Sequence, residues 1–300
     1  MIQIFYKIIY NNNINILLRN ISKIFKPILP EKLRIPPTGI LKIKNEEGKT
    51  LKIKTNQTNY LTQLVFWNGY LNFEYTDIFV KLIKKVNVFY DIGANIGYYS
   101  LLAAFENKNI KVVGFEPATG PLYYFMENVM INDFKNINVE SLALSHKEGE
   151  ITFYEIKNKK YKYLTHNLAG ESNAGTKTIG RNYIPNEVKT TTFDQYITKA
   201  NENKIDLVKI DTEGTENLIL ENANIVLGEM KPIIICETLF NTIEADLERI
   251  FKSYGYEFYN HIEDKGLVKF ESIIRKEDNG VRNCFFVHPS KYHLIEEFVK

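Results

Sequence analysis

Glycines and an acid gather where one apolar run of the chain ends. The predicted strand Val86–Tyr90 ends in Asp91 and continues through Gly93, Asn95 and Gly97, where a helical pattern begins. Glycines at such a strand-to-helix turn let the backbone bend sharply and approach a ligand closely. The spacing is Gly-Ala-Asn-Ile-Gly and not the G-x-G-x-x-G of a dinucleotide site, and Asp91 would repel a pyrophosphate. The turn therefore favours a ligand with a cationic amino-acid portion.

A second acid ends the next apolar run. Glu116 follows the predicted strand Lys111–Phe115 and precedes Pro117. An acid at the end of a second strand can accept both hydroxyls of a ribose. Glu116 and the glycine turn occur together, and no phosphate-binding lysine accompanies them. This combination indicates a nucleoside that carries a positively charged amino-acid tail. S-adenosylmethionine meets that description. The alternative is that Glu116 only caps the helix that follows.

A third group of charges follows a later apolar run. Lys209, Asp211 and Glu213 stand at alternate positions around the end of the predicted strand Asp206–Ile210, so they fall on one side of the sheet rim. Open α/β folds bind and react at this carboxyl edge. The alternative is that these acids only lie at the start of a helix, where the helix dipole stabilises negative charge. Glu216, inside that helix, fits this alternative as well as it fits a role in the site.

The sequence offers one further candidate base and one set of candidate metal ligands. His166 stands in a long polar segment between Asn158 and Asn186 and is a reserve candidate for a base, against the alternative of a solvated loop histidine. Asp211, Glu213 and Glu237 offer oxygen ligands, but no spacing demands a cation, so no metal site is predicted.

The elements that must position these residues alternate between strand and helix from residue 86 onward. This alternation predicts a mostly parallel sheet with helices on both faces, with residues 86–300 as one α/β domain. Residues 37–85 are expected to form a β-hairpin followed by a helix that leads into this domain.

The first 36 residues form a separate pattern, a basic amphipathic leader helix. Apolar residues recur at helical spacing, lysines accompany them, and the first acid is Glu31. One interpretation is a helix lying on an anionic membrane through residues 1–28; the other is a helix docked on its own domain or on a second copy of the chain.

Composition limits the classes of function. Thirty-eight basic and 36 acidic residues give a net charge of +2, which argues against a nucleic-acid partner. The two cysteines, Cys236 and Cys284, lie in apolar runs and suit a reducing, cytoplasmic compartment. Abundant lysine, asparagine and isoleucine with little arginine is typical of an AT-rich genome, which we take as bacterial.

Four ordered motifs resemble the FkbM-type S-adenosylmethionine-dependent methyltransferases. They are Asp-Ile-Gly-Ala-Asn-Ile-Gly from residue 91, Phe-Glu-Pro from 115, Lys-Ile-Asp-Thr-Glu-Gly-Thr-Glu from 209, and Lys-Pro-Ile-Ile-Ile-Cys-Glu from 231. The resemblance implies a Rossmann-like, seven-stranded methyltransferase sheet with a reversed last hairpin. It also implies methyl transfer to a hydroxyl oxygen of a sugar or a natural product.

The resemblance and the residue patterns together assign roles. The cofactor-binding residues that we predict are Asp91, Gly93, Asn95, Gly97, Glu116, Pro117, Leu142 and Asp211. Asp91 is expected to meet the methionine end, the two glycines to give backbone access, Glu116 to hold the ribose and Leu142 to cover the adenine. The predicted catalytic residues are Asp211, Glu213 and His166. The acceptor is expected to be a sugar of a cell-surface glycan. The alternatives are another small molecule or a non-catalytic module that only binds the cofactor.

Overall fold

The structure is a computed structural model that describes residues 2–157, 160–169 and 183–300. Parts of the long polar segment that contains His166 therefore lie outside the described residues. The α-helices of the described residues are α1 Ile2–Ile9, α2 Asn12–Ile24, α3 Tyr60–Asn68, α4 Thr76–Leu82, α5 Tyr98–Glu106, α6 Thr119–Ile131, α7 Phe193–Lys199, α8 Glu216–Leu220 and α9 Glu244–Ser253. The strands are β1 Gly39–Lys44, β2 Thr50–Thr55, β3 Val88–Ile92, β4 Lys111–Phe115, β5 Ile137–Glu140, β6 Ala143–Leu144, β7 Gly149–Ile156, β8 Tyr183–Thr191, β9 Leu207–Ile210, β10 Ile233–Glu237, β11 Glu257–Ile262, β12 Gly266–Phe270 and β13 Asn283–Val287.

The main sheet has the order β12-β11-β13-β10-β9-β3-β4-β5. The five strands from β10 to β5 are parallel, and β13 runs antiparallel between β10 and β11. The predicted mixed α/β sheet with a reversed closing hairpin is confirmed. It has eight strands and not seven, because the charged stretch after β11 turns back as β12 and pairs with β11 in antiparallel register.

The central strands are buried on both sides because helices cover both faces. Every residue of β9 is buried, as are four of the five in β10. One apolar core contains Phe66, Phe79 and Leu101 from α3, α4 and α5. The other contains Phe193, Leu220 and Phe251 from α7, α8 and α9. Continuous apolar runs of this kind are typical of parallel strands packed between two helical layers.

Residues 37–85 share the first of these cores. Leu51 and Ile53 of the β1–β2 hairpin are fully buried in it, together with α3 and α4. Asn128 attaches the hairpin to α6, since its Oδ1 accepts from Lys54 N at 2.6 Å and its Nδ2 donates to Lys54 O at 3.2 Å. Packing is therefore continuous across the predicted boundary at residue 85.

The leader consists of two helices where one was expected. The helical pattern breaks at Tyr10 and Asn11, and Asn11 begins the second helix by accepting from Asn13 N at 3.2 Å and Ile14 N at 3.5 Å. Asparagine is among the best residues at this position because its side chain satisfies amides that the first turn leaves open. None of the helices within the described residues is long and apolar enough to cross a membrane.

Candidate active site

A cavity of about 260 Å³ opens at the carboxyl ends of β3, β4, β5 and β9. We call it the central cleft. Its floor is the rim of the sheet, and β6 and β7 of a smaller sheet form part of its wall. Seven of the ten predicted site residues line it: Gly93, Asn95, Glu116, Pro117, Leu142, Asp211 and Glu213. The parallel strands thus bring three separate sequence motifs to one place.

The turn after β3 needs glycine at its first position. Gly93 has a φ of +74°, and a Cβ there would lie 1.9 Å from the carbonyl oxygen of Asp211. The amides of Gly93 and Ala94 both donate to Phe115 O, at 3.0 and 2.9 Å. These contacts press the turn against the neighbouring strand ends, so its backbone forms the surface of the central cleft without any side chain in front of it.

Glu116 is fixed by backbone amides on both of its oxygens. Oε2 accepts from Asn95 N at 2.7 Å, and Oε1 accepts from Ala118 N at 2.8 Å. Burial raises the pKa of Glu116 to about 7, although both hydrogen bonds oppose the shift. Each carboxylate oxygen has a second lone pair, so Glu116 can still accept two hydroxyl groups from a ligand in the cleft.

Asp91 does not line the central cleft, contrary to the expected contact with the methionine end. It is fully buried behind the turn, where Oδ2 accepts from Ser100 N at 3.1 Å and from Ser100 Oγ at 2.7 Å. Burial raises its pKa, even with Lys209 nearby. Asp91 belongs to the support of the turn, because a strand residue one position before the rim points into the packed layer.

Gly97 also faces away from the cleft, so it does not give the backbone access that we predicted. Its φ is +83°, and a Cβ there would lie 2.1 Å from the ring of Phe125. Glycine is needed here because α5 begins in direct contact with an aromatic side chain of α6.

Lys209 is a buried cation that joins the support to the rim. Its Nζ lies 3.6 Å from Asp91 Oδ1 and 3.3 Å from Asp211 Oδ2, and it donates to Gly93 O at 3.0 Å. Burial alone would lower the pKa of Lys209, but the charges of Asp211 and Asp91 outweigh it and raise the pKa. A charged lysine therefore fixes the Gly93 turn and the Asp211 carboxylate relative to each other.

Two further acids lie near Asp211 that were not among the predicted site residues. Glu237 ends β10; burial, and then repulsion from Asp211 and Glu213, raises its pKa to about 8. Glu74 precedes α4, and its carboxylate accepts from Tyr99 Oη at 3.3 Å. Although Glu74 as a residue is exposed, its carboxylate is enclosed; loss of hydration and the charge of Asp211 raise its pKa to about 7.

The strand-end pattern that identified Asp211 also holds for Glu237, which the sequence offered only as an oxygen ligand, whereas Glu74 follows no strand and carries no sequence signal. Within the described residues, no group of three or more His, Cys, Asp or Glu side chains is arranged to hold a metal ion.

His166 lies outside the central cleft. It lines a separate cavity beside the start of α6, and its ring stacks on Tyr123 with centroids 4.7 Å apart. Its carbonyl oxygen accepts from Asn56 Nδ2 at 3.0 Å. The structure therefore does not bring His166 together with Asp211 and Glu213.

Comparisons with solved structures find slight likenesses to methyltransferases. TrmK of M. capricolum in complex with S-adenosyl-homocysteine is 17% identical, with a TM-score of 0.40, over 75% of this chain and 74% of that chain. TYW2 of M. jannaschii in complex with AdoMet is 14% identical, with a TM-score of 0.36, over 84% and 87% of the two chains. Precorrin-6y C5,15-methyltransferase of Geobacter metallireducens is 13% identical, with a TM-score of 0.37, over 71% and 86%. No curated protein matches the chain.

The comparison with protein families gives a match that covers more than half of the chain. The methyltransferase FkbM domain matches residues 91–258. This span begins at the Asp91 turn, includes the Glu116 and Asp211 motifs that meet at the central cleft, and ends in β11. The chain belongs to the FkbM methyltransferase family and is an S-adenosylmethionine-dependent methyltransferase.

Proposed function

We propose that this methyltransferase acts on a hydroxyl group of a sugar, in the cytoplasm, during synthesis of a bacterial cell-surface glycan such as capsule or lipopolysaccharide. The observation that carries the proposal is a second cavity at the same edge of the main sheet, with charged and amide side chains in its lining. Its lining supports a polyhydroxylated acceptor over an apolar natural product.

The residues of the central cleft fit the cofactor. The bare Gly93 turn leaves room for the methionine portion, with the side chain of Asn95 beside it. Glu116 offers free lone pairs to the two ribose hydroxyls, and Leu142, Ala143 and Phe153 supply an apolar wall for the adenine. We assign Asp91 and Gly97 to the support of this site and not to contact with the cofactor.

The second cavity, which we call the rim cavity, measures about 740 Å³. It lies over the ends of β11, β12 and β13, and Glu74, Asp77, His261, Arg282 and Asn283 are among its lining residues. Both signs of charge and an amide give donors and acceptors in many directions, which suits several hydroxyl groups. An apolar ligand would displace water from those groups without replacing its hydrogen bonds.

Glu74 relates the two cavities through its charge. It lines the rim cavity, and its carboxylate is close enough to Asp211 for the two charges to repel. Asp211 itself lines the central cleft. In this proposal the sugar occupies the rim cavity and directs its reacting hydroxyl past Glu74 toward Asp211.

The bound cofactor supplies an electrophilic methyl group, and the residues of this chain supply the rest. Asp211 would accept the proton of the acceptor hydroxyl, with its carboxylate held by Lys209 Nζ at 3.3 Å. Glu74 and Glu237 have pKa values near neutrality, so either can receive that proton afterwards and return it to solvent. Glu213 has a left-handed φ of +59° at the mouth of the cleft and is our candidate for orienting the acceptor.

The test is methyl transfer from methyl-labelled S-adenosylmethionine to a panel of defined oligosaccharides. We expect label on the sugar that survives mild alkali, because a methyl ether resists hydrolysis and a methyl ester does not. Alkali-labile label would point to a carboxylate acceptor. Tight cofactor binding without transfer to any acceptor would favour the non-catalytic module.

A further inference from the structure

The leader docks on the protein through the polar side of its second helix. Asn15 and Arg19, one turn apart on α2, are both buried. Asn15 Oδ1 accepts from Thr38 N at 2.7 Å, while the Arg19 guanidinium donates to Thr38 O at 3.0 Å and to Ile40 O at 2.7 Å. These bonds fix the rotation of α2 about its own axis, because turning the helix would break the pairing of Arg19 with the Thr38 and Ile40 carbonyls.

The first helix docks in the same way. Gln3 exchanges hydrogen bonds with the backbone of residues 160–162, donating to Lys160 O at 2.8 Å and accepting from Lys162 N at 3.2 Å. The rings of Tyr6 and Tyr10 meet Tyr161 edge-on, with centroids 5.1 and 5.4 Å apart. Amide groups and tyrosines, rather than the isoleucines of α1, hold it against the protein.

The opposite side of the leader is apolar and faces solvent. Leu17, Ile21, Ile24 and Ile28 follow one another at helical spacing of three or four residues, and all are exposed. We call these four residues the leader face. The other exposed large apolar side chains between residues 2 and 33 are Ile2, Ile4, Phe5, Ile8, Ile14, Ile16, Phe25 and Leu33. An amphipathic surface helix ordinarily buries its apolar stripe against the protein core. Here α2 is inverted: its polar side is buried and its apolar stripe faces solvent.

The charges of the two leader helices are of one sign, although two of their lysines lie on the docked side: Lys7 Nζ is 5.8 Å from the Tyr163 ring centroid, and Lys23 Nζ is 4.7 Å from that of Phe66. No acidic residue precedes Glu31, whereas Lys7, Lys23 and Lys26 lie on the two helices or just after them. A two-fold contact between two leader faces would bring lysines together without an acid to pair them. An anionic bilayer offers both an apolar layer and a negative surface, so it matches the leader face in both respects.

We propose that the leader face binds the surface of an anionic membrane, with α1 and α2 lying in the plane of the lipid headgroups. The isoleucine stripe enters the acyl boundary, and the lysines remain at the headgroups. This property is independent of the acceptor and of methyl transfer, and it places the enzyme where a membrane-attached acceptor would be met.

The test is sedimentation of the full-length chain with vesicles of phosphatidylcholine alone and of phosphatidylcholine with one quarter phosphatidylglycerol. We expect the wild type to bind the mixed vesicles more tightly. Leu17→Asp with Ile24→Asp should abolish binding. The matched control is Met126→Asp with Met130→Asp on α6. Its residues are 51% and 71% exposed, against 61% and 76% for the leader pair, and it should bind as the wild type does.

Two further variants separate the apolar and charge contributions. Lys7→Gln with Lys26→Gln should weaken binding to the mixed vesicles by about fivefold per lysine, and should leave binding to neutral vesicles unchanged. Ile24→Trp should show a blue-shifted emission and quenching by brominated lipid when vesicles are added. The native Trp67 is buried and gives a constant background.

Several outcomes would overturn the proposal. One is a wild type that stays in the supernatant with both vesicles, and another is an aspartate pair on α2 that binds normally. A third is a stable dimer that the same pair dissociates, with no vesicle binding; that result would identify the leader face as a subunit interface. Unchanged circular dichroism and melting of each variant exclude unfolding as the cause.

Discussion

At the scale of single residues, Asp211 is where the proposed chemistry concentrates. Asp211→Asn keeps the shape and removes the charge that would accept the proton. We expect turnover to fall at least a hundredfold, with cofactor affinity nearly unchanged because Gly93, Asn95 and Glu116 keep their places. Labelled methyl transfer and calorimetry with S-adenosylhomocysteine measure the two effects. Normal turnover would remove Asp211 from the mechanism and direct attention to Glu74 and Glu237; lost binding would reassign it to the cofactor.

Glu116 predicts a pH dependence with opposite signs for stability and for binding. Its pKa is about 7 in the folded protein and near 4.5 when the residue is hydrated. The unfolded chain therefore releases this proton first as the pH rises, and folding stability falls between about pH 4.5 and 7, by about 3 kcal/mol in total. Ribose hydroxyls need the ionised carboxylate, so cofactor affinity should rise over the upper part of the same range.

Glu116→Gln tests both signs at once. The variant cannot ionise, so its melting temperature should improve relative to the wild type as the pH goes from 5 to 8. Its cofactor affinity should be weaker and flat with pH, since a charge-assisted pair worth about 1.5–3 kcal/mol is lost. Melting curves at both pH values measure the stability, and calorimetry at both pH values measures the cofactor affinity. Parallel pH profiles of wild type and variant would show that another group titrates.

At the scale of elements, the start of α5 depends on Gly97. Gly97→Ala puts a methyl group 2.1 Å from the Phe125 ring at a φ of +83°, so overpacking and backbone strain should together lower stability by several kcal/mol. Gly214→Ala is the control, because its φ is +103° but nothing lies within 4 Å of the added Cβ. Urea unfolding should show a much smaller loss for the control. Equal losses would mean that the Phe125 ring can move aside without lowering the stability.

The leader should be separable from the rest of the fold. We propose that residues 86–300 form the catalytic domain, that 37–85 lead into it, and that 1–36 are an added leader. Deleting residues 1–28 removes the Arg19 contacts with β1 but no strand of the main sheet. We expect a folded, somewhat less stable chain with unchanged cofactor affinity, as measured by melting and calorimetry. An insoluble product would make the leader part of the folding core.

At the scale of the whole molecule, the sequence predicted the sheet and most of the cleft, because periodicity and strand ends are local signals. Parallel strands bring their carboxyl ends together whatever the loops do, so Gly93, Glu116 and Asp211 meet as expected. Features that depend on packing between distant segments could not be predicted from the sequence. Examples are the burial of Asp91 behind the turn, the contact of Gly97 with Phe125 and the pairing of β12 with β11.

The leader is the sharpest case of this limit. Helical spacing identified an apolar stripe and a polar stripe, but it does not say which of the two the protein core receives. That choice depends on the carbonyl oxygens of Thr38 and Ile40, which need a hydrogen-bond donor. The Arg19 guanidinium supplies one, and an isoleucine cannot. A pattern in one segment therefore cannot decide an orientation that another segment selects.

The inverted leader has a consequence for how the protein moves. Hydrogen bonds from Asn15 and Arg19 hold α2, and their groups can be rehydrated. Releasing the helix uncovers the Phe66 ring but not the isoleucine stripe, which is exposed already. We therefore expect α2 to detach and reattach without unfolding the sheet, an opening with a weak dependence on denaturant. Its backbone amides should exchange with deuterium orders of magnitude faster than those of β9 and β10, and added lipid should slow that exchange selectively.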